Sequence, residues 1–354
     1  MEQRISPFEF TVEELDRELM ARGAQIPEKK RFKFSDREGT PERDAIMAHV
    51  KKLYNKTLTL NKAFSHISTW ELTKIIMFKI GKMAIDDFRG SWGPDGRMDS
   101  CMIEDDTIRS NTNCVAAICL KDNLITKNET FSILKVKNFG KTFNLCDNEP
   151  FRDQPIAAGR LCTGFLVKED VIATAAHFTR NHNVTDLRII FGFKMKDEST
   201  PEIRFHNENI YKGINVIHSV YSGLPDGPDW ALVQLDRKVK CNIVASLYKD
   251  EIYSDQEIYV MGHPCGLPLK YAPGAYVCDF NKTCFAANLD IYSGNSGSPV
   301  FDNKTHEVIG MVAQGDNRDF RWTDRGFISV RYPNLKITSK GAHCTRVSEF
   351  IDYC

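Results

Sequence analysis

The 354-residue sequence predicts an all-β body over residues 91–354, preceded by a small α-helical unit over residues 1–90. Three observations predict this. Short β-branched or aromatic runs recur at even spacing through the body, divided by turn residues such as Asp226-Gly-Pro and Ala272-Pro-Gly. Many short strands of that kind build a sandwich or a barrel. Helical patterning is confined to the first 90 residues. The composition, 42% hydrophobic and 27% charged, is that of a globular chain long enough to bury a full core.

Taken in order, Thr11-Val-Glu-Glu14 has capping-box spacing and opens an amphipathic run to about Arg22. Residues 29–43 are charged and loop-like. Thr40 then sets an N-cap ahead of Pro41 at the first helical position, and Ile46, Val50, Leu53 and Tyr54 recur at helical spacing. Ser68-Thr-Trp-Glu71 is a second capping box, leading into Leu72, Ile75, Ile76, Phe78 and Ile80. These segments make a three-helix unit, open to two readings: a packing appendage, or an adaptor or latency-controlling segment. SWGPDGR at 91–97 is a turn-rich join. Strands are predicted at 115–120, 133–136, 162–167, 171–175, 187–191, 231–235, 258–261, 275–277, 300–301, 308–313 and 326–330. Residues 347–353 have helical spacing and are expected to close the chain as a helix.

Charge and cysteine usage exclude several classes. Lys+Arg 47 balances Asp+Glu 47, so no global field holds nucleic acid or an anionic membrane. The first 20 residues are acidic and lack an apolar run of signal-peptide length. The most apolar stretch, 75–80, is too short to span a bilayer. A soluble cytoplasmic protein is expected, and most of its eleven cysteines should be thiols. Cys101, Cys114, Cys119 and Cys146 read as small core residues. No C-x-x-C pair, H-E-x-x-H pattern, phosphate-binding glycine loop or acidic calcium loop is present, so no metal or cofactor is expected.

Three motifs carry chemistry. They are ATAAH ending at His177, DWALVQL starting at Asp229, and GNSGSP around Ser296. A serine flanked by Gly294 and Gly297 sits in a turn whose backbone can approach a ligand closely. The N–H groups of Gly294 and Ser296 can then point at one spot, as an oxyanion hole requires. A serine hydroxyl is a weak nucleophile and needs a base within reach. His177, near pKa 6.5 when unperturbed, suits that task. Asp229 would hold the imidazole tautomer; Asp226 is a nearby competitor. The order His, Asp, Ser within an all-β chain matches a known arrangement of the catalytic triad.

With LCDNEPFRDQP at 145–155, CTGFLV at 162–167, GHPCGLPLK at 262–270, NLDIYSGNSGSPV at 288–300 and GMVAQG at 310–315, the chain resembles the chymotrypsin/trypsin-like serine peptidases. It is most similar to their bacterial trypsin-like, V8-like group, over about Trp92 to Cys354. The resemblance implies a chymotrypsin-like double β-barrel, six antiparallel strands each, with a C-terminal helix and the active site between the barrels. It implies a serine endopeptidase acting on protein or peptide substrates through Ser296, His177 and Asp229, with Gly294 and Ser296 forming the oxyanion hole.

The same resemblance places Asp290, six residues before Ser296, at the base of the S1 pocket, which implies cleavage after Arg or Lys. The alternative is a turn-capping aspartate. Gly315 fits a pocket-wall glycine. Ala342 stands where a second glycine is usual and would narrow the pocket. Val312, where a Glu-specific enzyme carries histidine, argues against acidic specificity. Asn295 replaces the aspartate that pairs with a new N-terminus, so no activation by N-terminal cleavage is expected. Phe178 replaces a cysteine, leaving Cys162 without its usual disulfide partner. A Cys278–Cys284 bridge stays open. His263 reads as a turn residue and Ser298 as a neighbour of the nucleophile. Residues 1–90 would recruit a protein partner or regulate access; bacterial members with small N-terminal adaptors occur in conflict and defence systems. The rival readings are a catalytically inactive binding module and an esterase or acyltransferase using the same triad.

Overall fold

The computed structural model describes residues 91–92, 95–223, 227–240, 243–314, 319–332 and 341–354. The expected helical unit over 1–90 lies outside these residues, as do Asp226 and Gly315.

Twelve strands build two barrels. The first uses β1 (Val115–Leu120), β2 (Leu161–Lys168), β3 (Val171–Thr174), β4 (Leu187–Phe191), β5 (Ile210–Tyr221) and β6 (Asp229–Leu235). They close in the order β4-β5-β6-β3-β2-β1, every pair antiparallel. The second uses β7 (Glu257–Gly262), β8 (Lys270–Phe280), β9 (Cys284–Ala287), β10 (Pro299–Asp302), β11 (Val308–Gln314) and β12 (Ala342–Arg346). Their order is β7-β10-β11-β12-β9-β8, and β8 returns to β7 to close the ring, again antiparallel throughout. A two-residue strand, Met98–Asp99, adds to β8.

Strands β1 and β3 of the first barrel read as nearly continuous apolar runs because alternate residues serve different cores. Side chains alternate across a strand with period two. Ala116, Ile118, Leu166, Ile172 and Val233 fill the barrel interior. Their neighbours Val115, Phe165, Val171, Ala173, Trp230 and Leu232 belong to a cluster shared with Tyr259, Met261, Phe301, Met311 and Phe350 of the second barrel's half of the chain. Both faces of these strands are therefore dry, and the two barrels pack through one continuous core.

Two expectations change. Residues 347–353 do not form an α-helix. They form two 3-10 turns, Val347–Glu349 and Ile351–Tyr353, with bonds from Phe350 N to Val347 O and from Tyr353 N to Phe350 O. Phe350 separates them at φ −132°, outside the helical region, and is fully buried beside Trp230 and Phe165. Anchoring that ring in the core interrupts the helical path. Strand β5 carries no prediction. Its bulges at Gly213/Asn215 and Val216/His218 break the alternation that marks a strand.

Candidate active site

His177 lies in a single turn of helix, Ala176–Arg180, that follows β3 directly. Asp229 is the first residue of β6, which pairs with β3. That pairing brings the two side chains together. Asp229 grips the histidine at two points: Oδ1 accepts the His177 backbone N–H at 2.9 Å, and Oδ2 lies 2.5 Å from Nδ1. The Asp229 side chain is 5% exposed and that of His177 30%, so the carboxylate is sealed while the imidazole keeps an open edge. A buried carboxylate so placed fixes the ring orientation and puts the Nδ1 proton between the two groups. Asp229 is itself held from the second barrel: its N–H donates to Thr345 Oγ1 at 3.0 Å.

Ser296 stands in the loop between β9 and β10. Thr163 of β2 ties this loop to the first barrel. Its N–H donates to Ser296 O at 3.0 Å, and its Oγ1 donates to Gly294 O at 2.9 Å while accepting the His263 N–H at 3.1 Å. Cys162 Sγ donates to Ser296 O at 2.8 Å. Burial pushes that thiol up to about 12, so it remains a donor. Phe178 packs in the same apolar cluster as Cys162.

The turn itself alternates claimed and unclaimed donors. Asn295 N–H donates to Tyr292 O, Gly297 N–H to Val312 O and Ser298 N–H to Asn295 O. Among the described residues no acceptor takes the N–H of Gly294 or of Ser296. Both glycines are required by the backbone. Gly294 has φ +97°, and a Cβ there would meet His263 O at 2.5 Å. Gly297 has φ +81°, and its Cβ would meet Thr163 O at 2.1 Å.

The model of the trypsin-like peptidase domain matches residues 162–311, a span that includes His177, Asp229 and Ser296. Residues 162–311 thus carry a trypsin-like peptidase domain. No curated protein matches it in sequence. Solved structures to which the chain is similar include a Glu endopeptidase, at 17% identity over 74% of this chain and 97% of that one, with a TM-score of 0.44. Rv3671c of M. tuberculosis H37Rv is similar at 11% over 75% and 94%, TM-score 0.40. The VesB protease of Vibrio cholerae is similar at 14% over 73% and 66%, TM-score 0.41.

The remaining residues named from the resemblance to these peptidases are less uniform. Asp290 is 8% exposed, and its Oδ2 accepts the Gly96 N–H at 2.9 Å. Ala342 is fully buried at the start of β12, opposite Ala287; it is the preceding Gly341 whose Cβ would strike Ala287 O, at 2.4 Å. Val312 is buried on β11. Asn295 is buried, its Oδ1 3.4 Å from Ser298 Oγ. His263 is buried, stacked on Phe193, with Nδ1 3.0 Å from Leu267 O. Cys278 and Cys284 are separate thiols, so the open bridge is not formed, and Cys101 is exposed rather than in the core. The ties made by Thr163 and Thr345 carried no sequence signal, because their partners lie a hundred residues or more away. No helix among the described residues is long and apolar enough to cross a membrane.

Proposed function

We propose that this chain is a serine endopeptidase. The observation that carries the reading is the two-point grip of Asp229 on His177, in a domain whose serine turn leaves the Gly294 and Ser296 N–H groups unclaimed. Ser296 Oγ attacks the scissile carbonyl carbon while His177 takes the hydroxyl proton. The negative oxygen of the tetrahedral intermediate is held by the Gly294 and Ser296 N–H groups, each worth roughly 10²–10³ in rate. His177 then protonates the leaving amine, the C–N bond breaks, and an ester to Ser296 remains. Water repeats the sequence and releases the acid. Asp229 keeps the Nδ1 proton in place and stabilises the imidazolium that forms at each step.

No P1 preference is assigned to Asp290, whose carboxylate is buried against the Gly96 N–H. Residues 1–90 are proposed to be a separate helical unit that recruits a partner or governs access, on the strength of their two capping boxes and amphipathic spacing. The test is mass spectrometry of a denatured proteome incubated with the full chain or with Ser296→Ala. New peptide termini are expected with wild type alone. Cleavage that survives Ser296→Ala rejects the reading, as does its absence both from the full chain and from a chain lacking residues 1–90.

A further inference from the structure

The turn-rich join read from the sequence at 91–97 folds into a device that touches the nucleophile's own loop. Asp95 holds Arg97 in a fork. Its Oδ1 accepts from Arg97 Nε at 2.9 Å and from Arg97 N at 3.2 Å, and its Oδ2 accepts from Nη2 at 2.6 Å. The Arg97 side chain is 1% exposed and that of Asp95 8%. So fixed, the guanidinium lies 3.9 Å from the centre of the Tyr292 ring and 5.3 Å from that of Phe151. Between the two charged residues, Gly96 donates its N–H to Asp290 Oδ2, and a Cβ at Gly96 would come within 3.3 Å of that oxygen. Asp290 and Tyr292 are thus both gripped. The Tyr292 carbonyl in turn accepts the Asn295 N–H at 3.0 Å, which closes the turn that presents Ser296.

The chemistry of this contact is not what packing alone would select. A buried ion pair is seldom more stable than apolar side chains of the same volume. Arg97 Nη1 is buried with no hydrogen-bond partner, an arrangement that itself opposes folding. A planar cation held by a bidentate carboxylate does supply what an apolar side chain lacks, a fixed orientation over an aromatic face. Burial pushes the Asp95 carboxyl up, but its pairs with Arg97 outweigh this and hold it below the ordinary carboxylate range, so the fork is ionised at neutral pH.

We propose that Asp95-Gly96-Arg97 is an internal clip that fixes the 290–296 turn. Arg97 is a positioning residue for Ser296, and Asp290 is an anchor of the clip, not the acid that selects a basic P1 side chain. The effect on turnover rests on the peptidase reading; the effect on the turn does not.

The experiment therefore uses two readouts on the full chain: steady-state kinetics on matched peptides with a basic or a neutral P1 residue, and amide hydrogen exchange over 288–298. Arg97→Met alone strands a buried carboxylate, so Asp95→Asn/Arg97→Met is the main variant, with Arg97→Lys as the milder one that keeps the charge and loses the fork. Both are expected to lower kcat, the double variant by ~10- to 100-fold, with KM changed less than about threefold. Exchange over 288–298 should quicken about tenfold while other core amides stay protected. Asp290→Asn should lower kcat for basic and neutral substrates alike. Unchanged kcat and unchanged exchange in both Arg97 variants overturn the clip. A loss in Asp290→Asn confined to basic substrates returns Asp290 to substrate selection and overturns its role as anchor. Faster exchange in a chain whose wild type cleaves nothing keeps the clip and rejects the peptidase reading instead.

Discussion

His263 shows how one residue couples the site to pH. It is buried beside Thr163, whose hydroxyl also holds Gly294. Burial pushes its imidazole down to about 4, although the Leu267 carbonyl accepting from Nδ1 works the other way. An unfolded chain takes up that proton near pH 6.5 and the folded chain does not. Stability from this residue is complete above pH 6.5 and is lost as pH falls toward 4, approaching about 3 kcal/mol. Urea unfolding at pH 7.5 and 4.5 checks this. His263→Gln keeps a donor for Leu267 O and should lose less stability on acidification than wild type; equal losses contradict the assignment. The three motifs were legible as candidates because each is local: a strand end before His177, a strand start at Asp229, a glycine-flanked turn at Ser296. The tie from Thr345 to Asp229 was not, since the two lie 116 positions apart and meet only through barrel closure.

Among the elements, the serine turn leaves no room for a side chain at its glycines. Gly297 and Gly274 both have positive φ, at +81° and +78°. They differ in surroundings: a Cβ at Gly297 would overlap the Thr163 carbonyl oxygen, whereas nothing lies within 4 Å of one at Gly274. Gly274→Ala should therefore show only the backbone cost, about 1–2 kcal/mol. Gly297→Ala should cost ~2–4 kcal/mol and activity as well. Thermal melts of the two variants decide the matter; similar shifts would mean that the contact with Thr163 does not constrain the turn. Strands Val115–Leu120 and Leu187–Phe191 were predicted to the residue; in the first, dry faces on both sides demand an unbroken apolar run, and in the second β-branched and aromatic residues dominate around Arg188. Ile210–Tyr221 was missed for the opposite reason. Several of its side chains face solvent, Ile214 and Ile217 among them, and its bulges shift the alternation.

For the body as a whole, the shared core makes a prediction about cooperativity. Trp230 of β6 is 1% exposed and touches Phe350, and its cluster spans both barrels. The two barrels should unfold together, with tryptophan fluorescence and far-ultraviolet circular dichroism giving coincident transitions. Trp230→Ala should lower that single transition by ~3–5 kcal/mol without splitting it. Two separated transitions in either protein would show that the barrels are independent.

By itself the sequence determined that residues from about 91 onward form an all-β body, that His177, Asp229 and Ser296 are the reactive candidates, and, through resemblance, that the strands close into two barrels. These follow from period-two alternation and short motifs, which are properties of neighbouring residues. Tertiary structure decided the rest. It seated Phe350 in the core and so replaced a terminal helix with 3-10 turns. It joined the two barrels through Thr163 and Thr345, and it placed Arg97 over Tyr292, 195 positions along the chain. Contacts of that separation depend on how closed sheets meet in space, which no local pattern encodes.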